Sequence, residues 1–194
     1  MRELRFPASE EDVRALRLGD EVLLYGVIVT GRDAAHKFMA EHPVAETPVA
    51  GELRGGCIYH CGPVVLKEGG QWRFVAAGPT TSAREEPYQA GVIEKFGLRA
   101  VLGKGGMGDK TREACQRLGC VYIHAIGGAA ASLAACVKRV LAVHKYDEFG
   151  PPEAFWVIEV EKFPVVVTID AHGASLHQEV LASSKAQLEA LLAK

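Results

Sequence analysis

Apolar positions fall in short runs separated by polar, amphipathic stretches, and the spacing of the two kinds predicts strands alternating with helices. Glu21–Thr30 (EVLLYGVIVT) is a near-continuous apolar run rich in branched side chains, the pattern of a strand. Gly31 ends it, and residues 33–40 read as a helix bearing His36 and Phe38. Residues 57–60 form a short strand closed by Gly62-Pro63, with residues 64–66 continuing the run. Lys67-Glu68-Gly69-Gly70 is turn chemistry, predicting a hairpin into residues 72–77. Further on, the pattern predicts helices over 84–96 and 111–118, strands over 98–102 and 120–125, and a long alanine-rich helix over about 129–144. Residues 155–160 and 165–170 read as two strands parted by Lys162-Phe163-Pro164, and 183–194 as an amphipathic helix. Residues 1–20 give an opening segment in which Ser9, followed by acidic residues, can cap a short helix, and residues 42–56 read as a loop. Strands alternate with helices in the middle and run together at both ends. This predicts a single three-layer α/β domain with a mixed sheet over 1–194.

Charge and composition narrow the function classes. Hydrophobic residues make up 48% and charged residues 24%, enough for a real core. The net charge of −2 lacks the basic face that a nucleic-acid binder needs, so no nucleic acid is expected as a partner. No apolar run approaches the length of about 18 residues needed to cross a membrane. The start, Met1-Arg2-Glu3-Leu4-Arg5, has no apolar core of a signal peptide, so a cytoplasmic location is the default expectation. Five cysteines (Cys57, Cys61, Cys115, Cys120, Cys136) include no C-x-x-C pair, so reduced, buried thiols are expected and no metal site within this chain.

Residues 73–84 (RFVAAGPTTSAR) carry the densest chemistry. An apolar run ends in Gly78-Pro79, three hydroxyl residues follow, and Arg84 comes two positions later. Thr80, Thr81 or Ser82 can cap a helix with Arg84 in its first turn, and such a helix start with hydroxyls and a planar cation is a carboxylate or phosphate site. The same pattern also fits an ordinary capped turn. Gly103-Lys104-Gly105-Gly106-Met107-Gly108 satisfies G-x-G-x-x-G between a strand and a helix, but the next strand, residues 121–125, ends without the acidic residue that would hold a ribose. It fails as a Walker A loop because Gly105 follows Lys104. What survives is a cation among exposed backbone N–H groups, an anion site. Arg32, Arg84 and Lys104 all sit where a strand gives way to a loop or helix, the usual place for ligands in open α/β sheets. If those ends converge, the natural ligand is a small dicarboxylate.

The motifs then fall in a recognisable order: GRDAAH at 31–36, YHCGP at 59–63, AGPTTSAR at 77–84, GKGGMG at 103–108, GG at 127–128 and W-x-I-E-V-x-x-F-P-V at 156–165. With them the chain resembles, over nearly its whole length, the β subunit or C-terminal domain of class I fumarate hydratases and the similar L(+)-tartrate dehydratases. The resemblance implies a swivelling β/β/α fold and a hydro-lyase active only with a cysteine-bearing α subunit, in a hetero-oligomer. It also implies an oxygen-sensitive [4Fe-4S] cluster in that partner, held by three cysteines, with one iron open as a Lewis acid and no cluster ligand in this chain. Carried over residue by residue, it implies that Arg32, Arg84 and Lys104 bind substrate carboxylates beside Thr81 and Ser82, with Thr80 close to the reacting carbons. The family commonly has Met after the motif arginine, where this chain has Glu85, an extra negative charge beside the site.

Removing a weakly acidic C–H proton calls for cations at the aci-carboxylate that develops. Arg32 and Arg84 suit that task, a guanidinium gripping a carboxylate at two points. Thr80 can serve as base only if a cation such as Lys104 favours its alkoxide. His36 is the other candidate for proton transfer, and it reads equally as a helix-surface or inter-subunit histidine. Asp33 fits orienting Arg32 or capping its helix. Tartrate dehydration is the rival within the enzyme class, and a stand-alone anion-binding module is the rival outside it.

Overall fold

The computed structural model describes residues 1–193. Its framework is a mixed sheet of seven strands: β1 Arg2–Phe6, β2 Glu21–Thr30, β3 Cys57–Tyr59, β6 Ala100–Gly103, β7 Val121–His124, β8 Val137–His144 and β9 Phe155–Ile169; β4 Val64–Glu68 and β5 Gln71–Ala76 form a separate antiparallel hairpin. The helices are α1 Glu10–Arg14, α2 Asp33–Glu41, α3 Ala50–Leu53, α4 Glu86–Phe96, α5 Asp109–Leu118, α6 Ala130–Ala135, α7 Tyr146–Phe149 and α8 Leu176–Leu192. β1, β2, β3, β6 and β7 run parallel in that spatial order. β9 is antiparallel to β7 and to β8, and it also pairs along its length with β2, so the five strands β2, β3, β6, β7 and β9 close into a ring. The α/β class and the mixed sheet are as expected from the sequence.

Period-two alternation sorts the strand residues between two cores. Ile58, Val101 and Tyr122 face α2, α4 and α5 and pack with Met39, Ile93, Phe96 and Cys115. Their neighbours Tyr59, Leu102 and Ile123 face the other way, toward Trp156, Phe163 and Phe74. On that second face the hairpin closes over the sheet, with Trp72 and Phe74 meeting the fully buried Trp156 edge-on at centroid distances of 5.3 and 5.7 Å. Helices, sheet and hairpin are therefore three layers, each apolar face buried by the next.

Four local expectations need correction. The opening segment contains a strand: Leu4 and Phe6 alternate inward against β2, and burying two such side chains stabilises by about 1.5–3 kcal/mol each. The alanine-rich stretch is helical only over Ala130–Ala135, because Val137, Val140 and Val143 pair as β8 with β9, and sheet pairing overrides the helix preference of the alanines. Residues 155–169 are one strand; Lys162 takes a left-handed φ of 55°, absorbing the bend while Phe163 stays buried. The segment 42–56 holds a 3-10 turn at Val44–Glu46 as well as α3.

The Ser9 capping box forms as expected, with Asp12 as its reciprocal partner. Pro87 sits in the first turn of α4, and Gly97 ends that helix with a left-handed φ of 66°. α8 begins earlier than the expected 183–194 helix, and residue 194 lies outside the described residues. It buries no residue, and none of the described helices is long and apolar enough to cross a membrane.

Candidate active site

The parallel strands bring the residues after Thr30, Tyr59, Gly103 and His124 to one edge of the sheet. Residues 79–82 thread between two of those ends. Pro79 bridges Cys61, Thr81 bridges Lys104, and the Thr80 N–H donates to the His60 carbonyl at 2.6 Å. The Lys104 N–H donates to the Thr80 carbonyl at 3.3 Å, and the Ser82 N–H to the Lys104 carbonyl at 3.0 Å. Thr80 and Thr81 are thus held against the exit of β6, directly beside Lys104. Neither threonine hydroxyl has a hydrogen-bond partner among the described residues, so both are free for a ligand.

Two of the cations are tied together by one carboxylate. Arg84 binds Asp33 at two points, Nε to Oδ1 at 3.1 Å and Nη2 to Oδ2 at 2.5 Å. Arg32 lies 3.8 Å from the same Oδ2 and 3.2 Å from Glu153 Oε1. The backbone of Gly62 makes room for Arg32: a Cβ there would come within 2.5 Å of its Nη1 and 2.9 Å of its Cδ. Glu153 also accepts from the Ala34 N–H at 3.0 Å, anchoring the first turn of α2. Lys104 has no ion pair among the described residues.

A buried polar layer lies behind this surface. His36, His60, Ser82, Glu85 and Gln89 are all fully buried. His36 Nδ1 is 2.9 Å from the Arg32 carbonyl, which can only accept, so Nδ1 carries the proton. The two Nε2 atoms of His36 and His60 lie 3.1 and 2.8 Å from one terminal atom of the Gln89 amide. Hydrogen-bond accounting assigns nitrogen to that position, donating to both imidazoles, whereupon His60 Nδ1 donates to Ser82 Oγ at 2.8 Å. Burial pushes His36 down to about 4 and His60 well below the usual histidine range, in line with two neutral rings. Glu85 Oε2 stands 3.5 Å from His36 Nδ1, and neither Glu85 oxygen has a hydrogen-bond partner. Burial, with a smaller contribution from Asp33, pushes its carboxyl up to about 7.

This geometry revises several residue-level expectations. Ser82 does not face the site; it is buried and its hydroxyl is spent on His60. None of the three hydroxyls caps a helix: Thr81 precedes a 3-10 turn, Ser82–Glu85, without a side-chain capping bond. His36 is neither on the helix surface nor open to solvent, since the inward face of α2 packs it under the sheet edge with both nitrogens engaged. The Gly-rich loop offers fewer free N–H groups than its sequence promised. Gly105 donates to His124 Nε2 at 3.1 Å, and Gly108 to Glu86 at 2.8 Å. Glu86 also takes Thr111 N and Oγ, so a carboxylate already occupies the start of α5.

His60, Gln89 and Glu153 escaped the sequence reading. Glu85 and Gln89 lie four residues apart, leading the buried face that Val92, Ile93 and Phe96 continue along α4. Polar residues on an otherwise apolar helical face were the available signal.

The cysteines do not fit an iron–sulfur cluster. Cys57 opens β3 and Cys61 lies just past it, Cys115 on α5 neighbours Cys120 just before β7, all four are buried, and Cys136 is a partly buried residue at the C-terminal end of α6. Burial pushes the Cys61 thiol up to about 12 and the Cys57 thiol upward as well, and the contact with Cys120, followed by burial, raises Cys115, against the thiolate a metal needs. Among the described residues no three His, Cys, Asp or Glu side chains are grouped to hold a metal ion.

Comparison with known proteins places this chain in a family. A protein of Geobacillus stearothermophilus named "Putative fumarate hydratase class I" is 52% identical over 186 residues, which are 95% of this chain and 35% of that protein. The chain thus spans about a third of that relative. The L(+)-tartrate dehydratase subunit beta of Escherichia coli strain K12 is 40% identical over 177 residues, 91% of this chain and 86% of the relative. The sequence model of the family described as Fumarase C-terminus matches residues 2–180, and the chain belongs to that family.

Proposed function

We propose that the chain is the β subunit of a hydro-lyase that reversibly hydrates fumarate to (S)-malate, supplying the groups that hold the substrate carboxylates. The observation that carries this reading is the gathering of Arg32, Arg84, Thr80, Thr81 and Lys104 at one sheet edge, in a chain 52% identical to a protein named as a class I fumarate hydratase. Arg32 and Arg84, spaced by Asp33, meet one carboxylate and stabilise the extra charge it gains as the neighbouring carbon loses its proton. Lys104 stands beside Thr80 and Thr81, where its charge lowers the cost of a threonine alkoxide. Thr80 is the proton-transfer group of this proposal. His36, neutral and buried, instead holds the Arg32 carbonyl and so the start of α2.

The [4Fe-4S] cluster belongs, in this reading, to a cysteine-bearing α subunit, since this chain's thiols do not fit one. The 40% identity to a tartrate dehydratase β subunit supports L(+)-tartrate as the second substrate class. Co-purification with the α subunit under anaerobic conditions, followed by assay with fumarate, (S)-malate and L(+)-tartrate, tests both. Turnover of fumarate with tartrate inert is the expected result. Turnover of tartrate alone selects the second reading, and a complex inert toward all three overturns the proposal.

A further inference from the structure

Glu85 is the unexplained group of this molecule. Its carboxyl is fully buried behind the arginine pair, and neither oxygen has a hydrogen-bond partner. An ionised carboxylate without a donor is costly to bury, so such a group holds its proton until the surroundings compensate it. His36 Nδ1 lies 3.5 Å from Glu85 Oε2, and its hydrogen is already given to the Arg32 carbonyl.

The charged and titratable groups facing Glu85 come from several elements. α2 and its leading residue contribute Arg32, Asp33 and His36; the 3-10 turn contributes Arg84; the loop before β9 contributes Glu153; His60 lies beyond His36. Glu86, next in sequence, is turned away onto Gly108 and Thr111. Two cations, Arg32 and Arg84, stand here against two carboxylates, Asp33 and Glu153, so the cluster is already balanced and an ionised Glu85 leaves it one negative charge in excess.

Resting on the dicarboxylate reading above, we propose that Glu85 is a positioning residue that takes up a proton when the dianion binds, so that the arginine pair keeps the positive charge the ligand requires. The side chain touches no substrate; it acts through Arg32 and Arg84. Bringing a dianion to those arginines adds negative charge near Glu85 and favours its neutral form. By linkage the dianion therefore binds more tightly where Glu85 is already protonated. Affinity falls as pH rises through the ligand-free midpoint of Glu85, approaching about tenfold per pH unit for one linked proton. The ligand carboxyls themselves stay ionised throughout this range.

Two measurements test this. In the full chain labelled with ¹³C at glutamate carboxyls, an NMR titration is expected to show one glutamate with a midpoint near neutrality, absent from Glu85→Gln. A spectrum in which every glutamate titrates near the ordinary value of about 4 overturns the proposal. In the assembled enzyme, KM for the dicarboxylate is expected to rise with pH above neutrality in the wild type and to stay flat in Glu85→Gln. Matching profiles in the two proteins overturn it. If Glu85→Gln does not fold, calorimetric binding of the dicarboxylate to the wild-type complex in two buffers of different ionisation heat replaces it. Proton uptake is expected, and none overturns the proposal. An enzyme inert to fumarate, malate and tartrate sinks the functional reading alone, because the ligand-free titration still decides the state of Glu85.

Discussion

Asp33 grips Arg84 through both of its carboxylate oxygens, at 3.1 and 2.5 Å, while the same Oδ2 lies 3.8 Å from Arg32. Arg84 is half-exposed and Asp33 scarcely less so, and pairs of that kind add only about 0–1 kcal/mol to stability. The pair is better explained by orientation. One carboxylate fixes the spacing of two guanidinium groups that arrive from different strand ends.

Asp33→Asn is therefore expected to leave the unfolding free energy within about 1 kcal/mol of wild type while raising KM for the dicarboxylate. Under the proposed role of Arg84, Arg84→Ala is expected to leave a substrate carboxylate unpaired, at a cost of about 2–5 kcal/mol in transition-state binding. Steady-state kinetics of the reconstituted enzyme checks both. Arg84→Ala activity within about threefold of wild type refutes the assignment of that arginine.

Purified alone, the chain is expected to show no hydro-lyase turnover, because among the described residues no three potential ligands are grouped to hold a metal. Fumarate consumption by the iron-free chain rules this out.

Gly103→Ala probes the junction between the site and its buried support. A Cβ at Gly103 would overlap Ser82 Oγ and lie 3.2 Å from His60 Nδ1. The end of β6 is fixed by pairing to β3 and β7, so Ser82 has to yield and the His60–Ser82 bond breaks. Overpacking of this kind costs about 1–3 kcal/mol. Urea denaturation with an unchanged midpoint contradicts that placement of Ser82.

The sequence revealed whatever depended on local pattern. The branched run of β2 and the Gly69-Gly70 turn are short-range signals, and each lies where expected. β8 was hidden because the alanine-rich stretch running into it favours helix in isolation, and only pairing with β9, more than ten residues downstream, makes it a strand. The buried layer was hidden for a related reason. Ser82 sits among exposed hydroxyls in sequence, yet it turns inward because His60, from another strand, offers a partner there. Glu85 read as an extra negative charge beside the site, and nothing local shows that the turn carrying it is buried under α2 and its partners.

The carboxyl of Glu85 also makes a stability prediction with a definite sign. Its folded value, about 7, lies above the ordinary 4.5, so its stabilising contribution is full below about 4.5 and is lost as pH rises through 7. His36 behaves oppositely. Its folded value, about 4, lies below the ordinary 6.5, so its contribution is full above 6.5 and fades as pH falls toward 4. Between those limits the two slopes oppose each other, and above about 6.5 only that of Glu85 remains. Replacing the carboxyl with an uncharged isostere removes the alkaline loss. Glu85→Gln is therefore expected to match wild type near pH 5 and to exceed it near pH 8, by on the order of 3 kcal/mol at most. Chemical denaturation at the two pH values measures it, and an equal offset at both shows that Glu85 does not titrate between them.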